Sequence, residues 1–215
     1  MSAVKNNASV TVIGDLVGSR RGHDRAALHQ RFERAIDAIN DEFAPPVPLR
    51  IGLGDEFQGI FATLGEAIAA TLRLRMALLP DVDLRQGIGW GQVLVLAEEP
   101  RVEDGPGWWA ARTAIETVEG YESKAPLRTV RTAYVAAEGE AGPEPGLVNA
   151  ALMSRDQVVS GLSERSVSVL DGLMRGRRQQ DIADDLGISP SAVSQRIRAE
   201  GIGVVLAVDA LLRDL

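Results

Sequence analysis

An order of patterns constrains this chain most. Val10 to Asp15 is strand-like, and from Asp24 the apolar positions Leu28, Phe32, Ala35, Ile36, Ile39 and Phe43 recur at three and four. That spacing predicts an amphipathic helix, stopped by Pro45-Pro46. "PLRIGLGDEFQGIFA" predicts two strands joined by a tight turn at Gly54-Asp55, with side chains changing face at every residue. Gly65 to Leu79 predicts a second helix, with Ala67, Ile68, Thr71, Leu72, Arg75 and Met76 at helical spacing and Pro80 as its stop. "DLRQGIGWGQVLVLAEE" predicts one further strand, in which Gly87, Gly89 and Gly91 signal a close backbone approach.

Strand, helix, strand, strand, helix, strand is the ferredoxin-like (βαββαβ) order, which predicts an antiparallel sheet with its helices on one face. Another helix is expected from Pro106, with both Trp108 and Trp109 in the core or, alternatively, one in the core and the other at the site edge, and a further strand in "LRTVRTAYVAA". "AEGEAGPEPGL", residues 137–147, is rich in Gly, Pro and Glu and reads as a linker. The expected organisation is therefore an α+β domain over 9–136 and a small all-α domain over 148–215. A length of 215 residues, 45% hydrophobic, suffices for both.

The chain has no cysteine, which excludes disulfides, thiolate metal sites and a cysteine nucleophile. No apolar run approaches the roughly 20 residues of a membrane helix, and "MSAVKNNASV" lacks the apolar core of a signal peptide, so a cytoplasmic protein is expected. A net charge of -7 argues against non-specific coating of nucleic acid.

Two Gly-Asp pairs need a common explanation. In the ferredoxin-like order the first strand neighbours the hairpin, so Asp15 and Asp55 are expected at one edge of the sheet. Two close carboxylates repel strongly at low dielectric and call for a cation between them. Carboxylate oxygens without His or Cys suit Mg²⁺ or Mn²⁺. The Gly18-Ser19-Arg20 corner, opening a helix, offers N–H groups to a phosphate. Metal and phosphate cradle together suggest a nucleoside triphosphate. The plainer alternative is that both pairs are ordinary turns.

The set "VIGDLVGSR", "GLGDEFQGIF", "RQGIGWGQV" and "GPGWWAARTAIE" resembles the SatD family over most of the first 130 residues. More distantly, it is similar to the palm domain of class III nucleotide cyclases and GGDEF diguanylate cyclases. That resemblance implies Asp15 and Asp55 as metal ligands and, through Ala110-Ala111-Arg112, Arg112 as the group that stabilises the transition state if the protein is an enzyme. The chain departs from the cyclase pattern at Ile51, where ATP-using relatives carry Lys, and at Trp108, where they carry Asn. Binding is thus better supported than turnover.

Beyond residue 147 the pattern is helical throughout. Val167, Leu170, Leu173 and Met174 form one apolar face, and Ile182, Ala183 and Leu186 a second. Gly187 to Pro190 predicts a left-handed C-cap, a Ser189 N-cap and a proline in the first turn of a third helix. This is a helix-turn-helix pattern, and it resembles sigma-factor region-four and LuxR-type DNA-binding helices. Ser191, Ser194, Gln195 and Arg198 are expected to reach base edges, with Arg177 and Arg178 on phosphates. From Ala151 onward eight Arg and Lys stand against nine Asp and Glu, so binding would be modest unless dimeric. The tail "GIGVVLAVDALLRDL" predicts a helix that closes the small core or contacts a second copy. The leading expectation is a regulator that binds a nucleotide and DNA; the alternative is a nucleotidyl cyclase or nucleotidyltransferase.

Overall fold

A computed structural model describes residues 8–18, 25–52 and 54–215. The sheet strands are β1 (Ser9–Val17), β2 (Val47–Ile51), β3 (Glu56–Phe61), β4 (Asp83–Gly91) and β7 (Thr132–Ala136), and a separate ribbon comprises β5 (Leu94–Glu98) and β6 (Arg101–Asp104). The helices of the sheet half are α1 (Arg25–Phe43), α2 (Leu64–Leu78) and α3 (Pro106–Glu122). Five more follow: α4 (Pro145–Ser160), α5 (Glu164–Met174), α6 (Gln179–Leu186), α7 (Pro190–Ala199) and α8 (Ile202–Leu212).

The five-stranded sheet runs β2-β3-β1-β4-β7, and its first four strands pair antiparallel as the βαββαβ order requires. β7 adds parallel to β4, so the sheet is mixed rather than purely antiparallel. The helices also differ from the expected single layer. Val10, Val12 and Leu16 of β1 pack with Phe32 and Ile36 of α1 and Leu64 and Ile68 of α2, whereas Ile13 packs with Trp108, Ala111 and Ile115 of α3. Alternation along β1 therefore feeds two cores. The parallel β4-to-β7 crossover carries α3 to the second face.

The glycine stripe explains how closely α3 approaches. A Cβ on Gly87 would collide with the backbone of Ala111 and Ile115, and one on Gly89 with that of Gly107 and Ala111. Thr11 ties the contact down by donating from Oγ1 to the Gly107 carbonyl at 2.8 Å. The stretch expected as one strand instead breaks after Gly91 into β4 and β5, and β6 follows beyond it. The β5–β6 ribbon stands off the sheet, with Leu94, Leu96 and Val102 exposed. Of the two tryptophans only Trp108 is core; Trp109 is 60% exposed, and its Nε1 donates to Asp104.

Residues 137–147 run close against the sheet half. Ala137 N–H donates to the Trp90 carbonyl, Tyr134 Oη to the Pro143 carbonyl, and Gly142 lies against the Trp90 ring. α4 then covers the outer edge of β7: Asn149 accepts from Tyr134 N–H and donates to its carbonyl, while Asp156 Oδ2 accepts from the N–H groups of Arg131 and Thr132. These are the unpaired backbone groups an edge strand must satisfy.

α2 joins the halves. Thirteen of its fifteen residues are buried, since one side packs into the sheet core and Leu72 and Met76 pack with α5 to α8. Ile202, Val205 and Leu212 of α8 are buried, so the tail closes a core.

Candidate functional site

β1 and β3 place Asp15 opposite Glu56, so the backbones of Asp15 and Asp55 are near each other at one end of the sheet. Their carboxylates are not brought together. Asp15 lies on the α3 face, where Arg85 of β4 donates to both of its oxygens from Nε and Nη2, each at 2.8 Å. Arg85 also pairs with Glu119 and Glu122 of α3. The hydrogen bond to Asp15 raises the Arg85 pKa above its ordinary value against the opposing effect of burial. Asp55 belongs to the other face, where it lines a cavity of about 270 Å³ with Leu16, Arg25, Leu28, His29, Phe32 and Gly54.

A shared divalent ion needs both carboxylates on one point, and here a guanidinium already neutralises one of them. Among the described residues no group of three or more His, Asp or Glu side chains could hold a metal ion. The expected Asp15–Asp55 centre for Mg²⁺ or Mn²⁺ therefore does not fit this arrangement. The physical reason is local: Asp15 sits within β1 and faces Arg85, whereas Asp55 belongs to the turn before β3 and lines the cavity with Leu16 and Phe32. Of the expected phosphate cradle, Gly18 has φ +72°, the left-handed conformation glycine favours, while Ser19 and Arg20 lie outside the described residues. Arg112 is exposed on α3, which covers the face away from the Asp55 cavity.

The helical half forms as its caps dictate. α6 ends at Gly187 with φ +62°, and Ser189 caps α7 by accepting from Ala192 N–H, with Pro190 in the first turn. Ala183 and Val193, fully buried, sit where the two helices meet. Ser191, Gln195 and Arg198 are exposed on α7, whereas Ser194 is half-buried and accepts from Arg198 Nη1 at 2.9 Å. Arg177 donates to Asp185 at 2.6 Å, and Arg178 holds Asp181 through two nitrogens. The cations expected for phosphates thus carry carboxylate partners.

A second constellation has no counterpart among the expected site residues. Arg75 of α2, 1% exposed, donates to Asp83 of β4 and to Asp156 and Ser160 of α4. Arg131 donates from Nε to Asp83 at 2.9 Å, and Arg155, fully buried, reaches Thr132 and Asp156. Burial alone would lower the Arg75 pKa, but Asp83 and Asp156 outweigh it and the value is raised. For Arg155 burial wins, and its pKa is lowered. The available sequence signal was charge inside apolar helix faces: Arg75 occupies an inward position of α2, and Arg155-Asp156 interrupts the buried side of α4.

The described fold is mixed α+β, and its sequence assigns the family. The SatD family model matches residues 9–215, and the chain belongs to the SatD family. No curated protein matches it. Solved structures similar to it include a bacterial light-regulated adenylyl cyclase, 13% identical with a TM-score of 0.45, covering 60% of this chain and 75% of that one. The adenylyl cyclase CyaB from P. aeruginosa is 11% identical with a TM-score of 0.41, covering 53% of this chain and 72% of that one. The catalytic core of a rhodopsin-guanylyl cyclase with converted specificity, in complex with ATPalphaS, is 16% identical with a TM-score of 0.40, covering 55% and 73%. No helix among the described residues is long and apolar enough to cross a membrane.

Proposed function

We propose that this chain is a DNA-binding regulatory protein whose sheet half carries a nucleotide-binding pocket. The α6–α7 pair carries the reading. Its left-handed glycine turn and capped second helix have the build of a helix-turn-helix, and α7 turns Val193 inward while keeping Gln195 and Arg198 exposed. Gln suits the adenine edge and Arg the guanine edge of the major groove. Arg177 and Arg178 stand at the entry to α6, where exchange of Asp185 and Asp181 for phosphates would position the helices.

In-vitro selection from random duplexes, followed by fluorescence anisotropy, tests this reading. Arg198→Ala should weaken binding to the selected sequence by about 1–3 kcal/mol. A selection that enriches no sequence refutes it.

The pocket assignment rests on the Asp55 cavity, where Arg25 and His29 offer cationic and hydrogen-bonding groups to phosphates beside the apolar Leu16, Leu28 and Phe32. Thermal shift with each nucleoside triphosphate checks it. A shift that Arg25→Ala abolishes and Asp15→Asn leaves in place is expected. Loss of the shift on Asp15→Asn, together with dependence on Mg²⁺, would instead restore a shared metal centre. For the enzymatic alternative, neither Arg112 nor Asp15 lines this cavity.

A further inference from the structure

Where the two halves meet, a cavity of about 380 Å³ opens between the end of α2, the start of β4, the 128–131 turn, the end of α4 and the approach to α5. Arg75, Arg128 and Arg131 line it, with Asp83 as the only carboxylate among its described lining residues. Asp83 is committed to both Arg75 and Arg131, and Asp156 lies behind Arg75. Arg131 spends Nε on Asp83 and Nη1 on the Arg128 and Val130 carbonyls, with Glu122 3.5 Å away outside the cavity. Arg128 is exposed, and its guanidinium makes no ion pair with a described residue. Thr129 and Ser160 also line it, with their hydroxyls donating to Gln157 and to the Thr129 carbonyl. The rest of the lining is apolar: Leu79, Pro80, Val159, Leu162 and Val167.

We infer that this cavity is a binding site for a small organic phosphate, with the phosphate on Arg128 and Arg131 and the organic part against Leu79, Leu162 and Val167. Asp83, Asp156 and Glu122 balance Arg75 and Arg131, which leaves Arg128 as the cation of this half-enclosed space with no ion pair among the described residues; there an anion is held more strongly than on an open surface. Arginine's planar fork matches phosphate oxygens. The volume falls within the roughly 300–1,000 Å³ of small-molecule sites, and mixed polar and apolar walls are how such sites select. The lining comes from both halves, so an occupant would touch α2 and the 128–131 turn on one side and α4 and the approach to α5 on the other. This site is separate from the Asp55 cavity and does not depend on α7 reading DNA.

Phenyl phosphate and inorganic phosphate, titrated at constant ionic strength into the full-length protein and followed by calorimetry and thermal shift, test the inference. Phenyl phosphate should bind more tightly than inorganic phosphate and, at ten times its Kd, raise Tm by about 3–6 °C. Arg128→Ala should weaken phenyl phosphate at least about tenfold, the order of one lost charge-assisted contact. Arg128 is exposed and its side chain makes no ion pair with a described residue, so the fold of this variant should be retained, which circular dichroism verifies. Arg198→Ala should leave binding unchanged. Binding lost in Arg198→Ala but kept in Arg128→Ala would move the anion to α7 and overturn the inference, as would absence of binding to the wild type.

Discussion

Two sets of arginine–carboxylate pairs use the same chemistry to opposite ends. At the junction of the halves, Arg75, Arg155 and Asp156 are almost entirely out of water, and Asp156 ties α4 to Arg75, 81 positions away, and to backbone groups that need a partner. At α6, Arg178 and Asp181 are three residues apart, while Arg177 before the helix reaches Asp185 near its end, all substantially exposed. Breaking a buried pair strands a charge, whereas an exposed pair exchanges with water and ions at little cost. The first set therefore fixes architecture, and the second is available to an incoming polyanion.

The largest expected effect comes from Asp156→Ala, which removes the acceptor for Arg75, Arg155 and two backbone N–H groups at once. It should lower the unfolding free energy by about 3–5 kcal/mol in urea titration. A loss under 1 kcal/mol would erase the distinction between the two sets. Next is the acid limb. Burial works to raise the Asp83 pKa, but the charge and hydrogen bonds of Arg75, with the charge of Arg131, hold it below its ordinary 3.8. A depressed carboxylate contributes stability that is complete above its unfolded value and is lost as pH falls through the folded one. The wild type should therefore lose this contribution as pH drops below about 4, and Asp83→Asn should flatten that part of the urea-midpoint profile.

On the exposed set, Arg198→Ala should act on DNA affinity with Tm almost unmoved. The smallest effect sharpens the contrast by reversing sign: Asp185→Ala frees Arg177 and should tighten DNA binding a few-fold while stability changes by about 0–1 kcal/mol. Weaker binding in that variant would mean that Arg177 needs Asp185 for its position.

Local chemistry was readable from the chain, and long-range chemistry was not. Proline in the first turn of α3, the Gly187 turn and the Ser189 cap each act within a few residues, so composition reveals them. β6 escaped notice because Arg-Val-Glu-Asp has no apolar alternation, and its partner lies across a short turn that read as continuous strand. The Asp15–Arg85 pair joins residues seventy positions apart, and no periodicity announces it. The anchors of the Gly-Pro-rich 137–147 stretch are the Ala137 N–H on the Trp90 carbonyl and the Pro143 carbonyl under the Tyr134 hydroxyl, bonds to the stretch's backbone that its side-chain composition does not encode.

The bare track along β4 has a mechanical consequence. With no side chain between strand and helix at Gly87 and Gly89, α3 meets the sheet backbone to backbone and has little room to roll or slide. The β5–β6 ribbon leads directly into that helix, so a push on the ribbon would travel into the sheet as through a rigid lever, with no soft layer to absorb it.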